Sequence, residues 1–204
     1  MFQNNKEYII KNDWIEISPL KLQDLNEQFN ISNDKNIWKH FTENGYGRDN
    51  FESYINTALE NRNKNSQYPM VIRDLRRHHI VGMTRLYEID NELKNLKIGH
   101  SCLGNSLQET RINKMCKYLL FEFVFEVLGF ERIGFCVSAL NKRSINALKS
   151  VGCQIEGELR HFLPVSESSE RISIILLSIL KAEWDSGIKT QLLNKINKFN
   201  KTEL

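Results

Sequence analysis

The chain has 204 residues, 41% hydrophobic and 26% charged, a balance that suits one sizeable core and speaks against a disordered or membrane-spanning class. The net charge of +3 is spread along the sequence, so no dense basic stripe points to nucleic acid as a partner. The most apolar stretch, Ile172–Leu180, is too short for a membrane span and reads as a buried strand. Met1–Glu7 lacks a basic segment followed by an apolar core, so no signal peptide is expected and a cytoplasmic location is the default. The 4 cysteines, Cys102, Cys116, Cys136 and Cys153, form no C-x-x-C pair. They are expected as buried free thiols, as in a reducing compartment, and no metal site is expected.

In chain order, residues 1–12 are polar and are expected to be loosely held. Asp13–Ser18 alternates and predicts a strand stopped by Pro19. Asp24–Ile31 predicts a short helix, and Asn33-Asp34 caps another that runs through Trp38 and Phe41. Glu43–Gly47 is a loop. Asp49–Asn61 predicts a helix with Phe51, Tyr54, Ile55, Ala58 and Leu59 on one side. Met70–Ile72 and Ile80–Tyr87 are β-like and are joined by a basic turn holding Arg73, Arg76, Arg77, His78 and His79. That turn reads either as solvated or as a patch for an acidic partner. Leu96–Leu103 completes an antiparallel meander.

A polar break, Gly104–Gln108, precedes a long amphipathic pattern: Ile112, Met115, Cys116, Leu119, Leu120, Phe123, Val124, Val127 and Leu128 recur at helical spacing. Gly129 ends it. Arg132–Ala139 is β-like, Asn141–Ser144 opens a second short helix closed by Gly152, and Gln154–Phe162 and Arg171–Leu180 are the last strands, joined through Ser166–Ser169. A C-terminal helix places Ile188, Leu192, Ile196 and Phe199 about one turn apart. The expected fold class is α/β, a mixed, mostly antiparallel sheet flanked by helices. Its expected divisions are a loose segment 1–12, a domain 13–185 and a C-terminal helix 186–204. A strand that hands its chain to a helix N-terminus builds an anion site, because the first N–H groups of a helix have no internal partner. Such a site suits the phosphates of a nucleotide cofactor.

Several stretches carry a family resemblance. They are Ile31–Asp34 with Ile37-Trp38 and Phe41-Thr42; Ile80–Tyr87; Gln108–Lys114; Asn141–Ser144 through Leu148 to Gly152; Glu156–Arg160; and Ser178–Leu180 with Glu183-Trp184. Their order resembles the GCN5-related N-acetyltransferase (GNAT) superfamily, and within it the branch of the ribosomal-protein N-terminal acetyltransferases RimJ and RimL. The resemblance implies the GNAT acyl-CoA N-acyltransferase fold and an enzyme that moves an acetyl group from acetyl-CoA to a primary amine. The acceptor would be a protein N-terminus or a small-molecule amine, attacking directly in a ternary complex.

By the same resemblance Leu103 would offer main-chain groups to the pantetheine arm. Gln108, Glu109, Thr110, Arg111, Ile112, Asn113 and Lys114 would hold the pyrophosphate. Asn141 would bond the pantetheine or simply cap its helix. Ser144 would bind cofactor and act catalytically as proton donor, or be an ordinary first-turn residue. Relatives are monomers or dimers. The chain departs from the family where Glu109 and Arg111 replace loop glycines, where Lys97 replaces a frequent glutamate, and where Leu148 stands at another branch's acidic tyrosine. Glu158, His161, His100 and Glu88 are candidates for a base, and each also reads as a surface or structural residue. The loop substitutions leave open a binding module of the same fold with a degenerate phosphate loop.

Overall fold

The computed structural model describes residues 1–104, 110–164 and 171–198. One 8-stranded sheet organises the chain, with strands β1 (Ile10–Lys11), β2 (Ile15–Pro19), β3 (Gln67–Asp74), β4 (His79–Asp90), β5 (Asn95–Leu103), β6 (Arg132–Ser138), β7 (Gln154–Pro164) and β8 (Arg171–Leu180). Their spatial order is β1-β2-β3-β4-β5-β6-β8-β7. Every adjacent pair is antiparallel except β5 with β6. The mixed, mostly antiparallel sheet expected from the sequence is therefore present, and the β3-β4-β5 meander is its centre.

The alternation of each strand sends side chains to two faces. One face packs Ile15, Ile17, Leu86, Ile98, Ile133, Phe135 and Ile179 against helices α4 (Arg111–Glu122), α5 (Lys142–Ser150) and α6 (Lys189–Asn197). The other packs Val71, Ile80, Met83 and Cys102 against α1 (Leu25–Ser32), α2 (Lys35–Trp38) and α3 (Arg48–Asn63). Asp34 caps α2 by accepting from the Asn36 amide, as Asn33-Asp34 predicted. Among the described residues no helix is long and apolar enough to cross a membrane.

Three local expectations are corrected. Residues 1–12 are anchored rather than loose: Phe2 and Tyr8 are buried and pack on Tyr68, whose hydroxyl accepts from the Tyr8 amide at 3.0 Å and donates to the Lys6 carbonyl at 2.7 Å. The long helix does not keep one period to Leu128. After Glu122 it widens into a π turn, Phe123–Val127, with the Leu128 amide reaching back to Phe123, and the extra residue per turn swings Val127 out to 69% exposure. Gly129, at φ +72°, then ends it as expected. Cys136 is half-buried, whereas Cys102, Cys116 and Cys153 are buried; all are free thiols. In the C-terminal helix Leu192 and Ile196 are buried as the spacing required, and Phe199 lies outside the described residues, as does Ser166–Ser169.

Candidate active site

The one parallel pairing opens the sheet. β5 and β6 are in register only from Asn95–Arg132 to Lys97–Gly134. Beyond that point β5 follows β4 toward Leu103, while β6 follows β8 toward Ser138. A V-shaped gap results between two strands that each stay bonded on their outer side. At its root Lys97 is ion-paired with Glu88. Burial works against the charged lysine, but Glu88 and Cys136 together outweigh it and raise its pKa. Glu88 is thereby engaged structurally, and Glu158 and His161 are exposed on the edge strand β7.

At the wide end β5 passes to α4. Gln108 and Glu109, two of the residues assigned to phosphate binding, lie outside the described residues. Thr110 stands at the N-cap in extended conformation and places no side-chain cap on the helix amides. Ile112 is buried in the core, so only its main chain can serve a ligand; Asn113 and Lys114 are half-buried. The guanidinium of Arg111 lies 4.4 Å from the centroid of the Trp14 ring, and Arg76 from the basic turn stacks on the same indole at 3.0 Å. Arg111 Nε is buried with no hydrogen-bond partner among the described residues.

Across the gap, the Asn141 side chain accepts from the Ser144 amide at 3.1 Å and caps α5. Ser144 is half-buried in its first turn. Leu148 is core, so this helix offers no phenol to the gap. His40, just beyond α2, has its pKa lowered by burial, then by Lys39 and Arg143, which brings the end of α2 and the start of α5 into one electrostatic neighbourhood.

A second cluster sits midway along β5. Arg85 pairs with Gly99 and Met83 with Cys102, so His100 and Ser101 together oppose Thr84 in a bulge. His100 accordingly has φ +50°, a left-handed conformation that costs energy outside glycine and is held by its surroundings. Its ring is ringed by Phe41, Tyr54 and Tyr87, with centroids 6.3, 6.2 and 5.9 Å away. Its Nδ1 is 3.1 Å from the Tyr54 hydroxyl. Beneath lies Arg85, 2% exposed, its guanidinium 4.2 Å over the Tyr54 ring, donating to Gln67 Oε1 at 2.9 Å and reaching the Tyr54 carbonyl at 3.5 Å. Burial, and then the Arg85 charge, push the His100 pKa down to about 4. Burial raises the Tyr54 phenol well above its usual range.

His100 stood among the sequence candidates; Tyr54 and Arg85 did not. Tyr54 was hidden by its place on an apolar helix face. Arg85 left a signal, a lone cation inside the otherwise apolar run Ile80–Tyr87, where burial of a charge demands a reason. Among the described residues no group of three or more His, Cys, Asp or Glu side chains is placed to hold a metal ion.

Residues 15–154 match the family model described as the acetyltransferase (GNAT) domain. The chain belongs to the GNAT acetyltransferase family. Its fold is also that of many solved structures. A GCN5-related N-acetyltransferase from Brucella melitensis is 20% identical with a TM-score of 0.88, over 99% of this chain and 92% of that one. The Mycobacterium smegmatis RimJ in complex with CoA-disulfide is 16% identical, TM-score 0.75, over 93% of each chain. A spermidine N-acetyltransferase from Vibrio cholerae in complex with CoA and spermine is 18% identical, TM-score 0.69, over 85% of this chain and 99% of that one. At these identities the likeness is one of fold. No curated protein matches the chain.

The residues present fit an acyl-CoA. An opened pair of strand edges suits an amide-bearing arm, and a helix start bearing Arg111, with Lys142 and Arg143 across the gap, suits phosphates. Membership of this family supports acyl-CoA-dependent N-acetyltransferase activity.

Proposed function

We propose that this chain transfers the acetyl group of acetyl-CoA to a primary amine by direct attack in a ternary complex. One observation carries the reading: a parallel strand pair that splays after Lys97, with α4 the next described helix along the chain after β5. Acetyl-CoA supplies an activated acyl carbon. Main-chain groups of Leu103 hold the pantetheine arm, and Gln108, Glu109, Thr110, Arg111, Ile112, Asn113 and Lys114 hold the diphosphate through amides and cations. Asn141 both caps α5 and faces the arm. The Ser144 hydroxyl returns a proton to the departing sulfur. The acceptor nitrogen must arrive neutral, since only a free lone pair attacks the carbonyl.

The acceptor is a protein N-terminus or a small amine, and the placement in the RimJ/RimL-like branch is supported by the order of motifs and by one RimJ structure among the similar folds. Three buried free thiols accord with a cytoplasmic setting, and the working unit is a monomer or homodimer. No metal, nucleic acid or membrane is invoked.

Calorimetric titration with acetyl-CoA tests the donor, and release of free thiol across a panel of N-terminal peptides and small amines tests the acceptor. Saturable binding with amine-dependent thiol release is expected. No binding at millimolar acetyl-CoA favours the second reading, a GNAT-fold binding module, which the replacement of loop glycines by Glu109 and Arg111 motivates.

A further inference from the structure

We infer that His100 enters the reaction as a neutral hydrogen-bond donor, its Nε2–H directed to the carbonyl oxygen that gains charge, and not as the base that takes the amine's proton. The inference rests on the acetyl-transfer reading above. It starts from the Tyr54 phenol, 3% exposed, whose hydroxyl has His100 Nδ1 as its one hydrogen-bond partner among the described residues. A buried O–H must donate to something, and its burial keeps the phenol protonated. Nδ1 is the acceptor within reach. In a neutral imidazole the nitrogen that accepts is the one without the proton, so the proton resides on Nε2. Nε2 itself has no partner among the described residues, and His100 as a whole is half-buried rather than buried.

The charged form is suppressed from every side of the ring. Arg85 from β4 lies beneath, and Tyr54 from α3, Tyr87 from β4 and Phe41 from the loop after α2 enclose it with uncharged rings. Glu43 acts on Arg85 and Tyr54 rather than on the imidazole. A base with so little affinity for a proton is poorly matched to an alkylammonium, whereas a neutral imidazole with a fixed N–H is suited to polarise a carbonyl. The bulge supplies the position, since it takes His100 and Ser101 out of register opposite Thr84, on the strand whose other edge lines the gap.

The step balances as follows. The amine nitrogen forms a bond to the acyl carbon, and the carbonyl π pair moves onto oxygen, where Nε2–H stabilises it. The pair returns as the C–S bond breaks, the proton lost by nitrogen goes to water, and the sulfur leaves as a thiolate that takes the Ser144 hydroxyl proton, which that water's proton replaces. His100 exchanges no proton. Tyr54 is a positioning residue.

The test has an arm that needs no turnover. In protein labelled with ¹⁵N-histidine, the His100 signals should show an unprotonated Nδ1 and a protonated Nε2, unchanged between about pH 5 and 8. Tyr54→Phe should abolish that preference. A proton on Nδ1, or a titration near the ordinary histidine value, overturns the inference while leaving acetyl-CoA binding intact. In turnover, His100→Gln, which keeps an N–H near the same place, should stay within about tenfold of the parent, and His100→Ala should lose roughly a hundredfold or more in kcat. Equal loss in both variants, or an acid limb of the pH–rate profile that disappears in His100→Gln, overturns it. Failure of acetyl-CoA to bind the parent protein removes the functional reading and the role with it, without moving the tautomer.

Discussion

The two ends of the cleft are built on different principles. Around His100, side chains fix one another: Gln67 holds Arg85, Arg85 lies on Tyr54, Tyr54 bonds His100, and Phe41 and Tyr87 close the ring. At the start of α4 the Arg111 guanidinium lies on Trp14 and Ile112 sits in the core, so neither side chain is packed around a site as those near His100 are. The His100 end, the acyl end on the proposed reading, is thus specified by packing and tolerates little. On the proposed reading the phosphate end relies on backbone, so Glu109 and Arg111 standing where the family has glycines are the departures that bear on it most.

That contrast can be broken or sharpened by substitution. The largest effect is expected at Gly82, where a Cβ would lie 2.3 Å from the Cys102 carbonyl oxygen and 2.7 Å from a Leu103 methyl. Gly82→Ala should force β4 from β5 beside the bulge and cost about 2 kcal/mol in denaturant unfolding. An unchanged midpoint would show that this end gives way easily.

Next comes acid sensitivity. His100 has a native pKa of about 4 against an ordinary 6.5. Between these values the unfolded chain binds a proton that the native chain refuses. The neutral histidine therefore contributes its stability above the unfolded value, and that contribution is lost as pH falls from about 6.5 through 4. His100→Gln should flatten the stability profile in that window, read by thermal unfolding; a profile parallel to the parent's would contradict the burial argument.

At the other end, Arg111→Gly should weaken acetyl-CoA binding by only a few-fold and reduce its salt dependence, because one screened cation is removed while the amides stay. Tighter binding would mean that the arginine obstructs its own loop. The smallest effect is expected far from the cleft. Arg132 is paired bidentately with Glu156, which also accepts from Ser178. The Arg132 hydrogen bond outweighs burial and brings the Glu156 pKa down to about 2. Both side chains are more than a third exposed, so solvent discounts the pair, and Glu156→Gln should cost less than about 1 kcal/mol in chemical denaturation.

Much of the fold was legible because period and punctuation agree. Phe51, Tyr54, Ile55 and Ala58 mark α3, Gly129 closes the long helix, and alternation marks β2. What escaped depended on distant partners or on single-residue slips. Phe2 and Tyr8 looked like stray aromatics in a polar segment, and their partner Tyr68 is 60 residues beyond Tyr8. Val127 fits a helical face only if no π turn intervenes. The bulge escaped too: Ile98 and Cys102 are an even number of residues apart yet face opposite cores, which a regular strand forbids. Nothing local said which face each would take. The site was half legible for the same reason. His100, Asn141 and Ser144 could be named from one segment each, but the Arg85–Tyr54–His100 chain joins α3, β4 and β5, and only the sheet brings these together.

Amide hydrogen exchange, read by mass spectrometry with and without acetyl-CoA, tests the central claim most directly. The account predicts new protection confined to the inner edge of β5 beyond Lys97 and to the first turn of α4, with α5 near Asn141 following. Protection on the β7 edge or around β1 instead, at saturating acetyl-CoA, would contradict it.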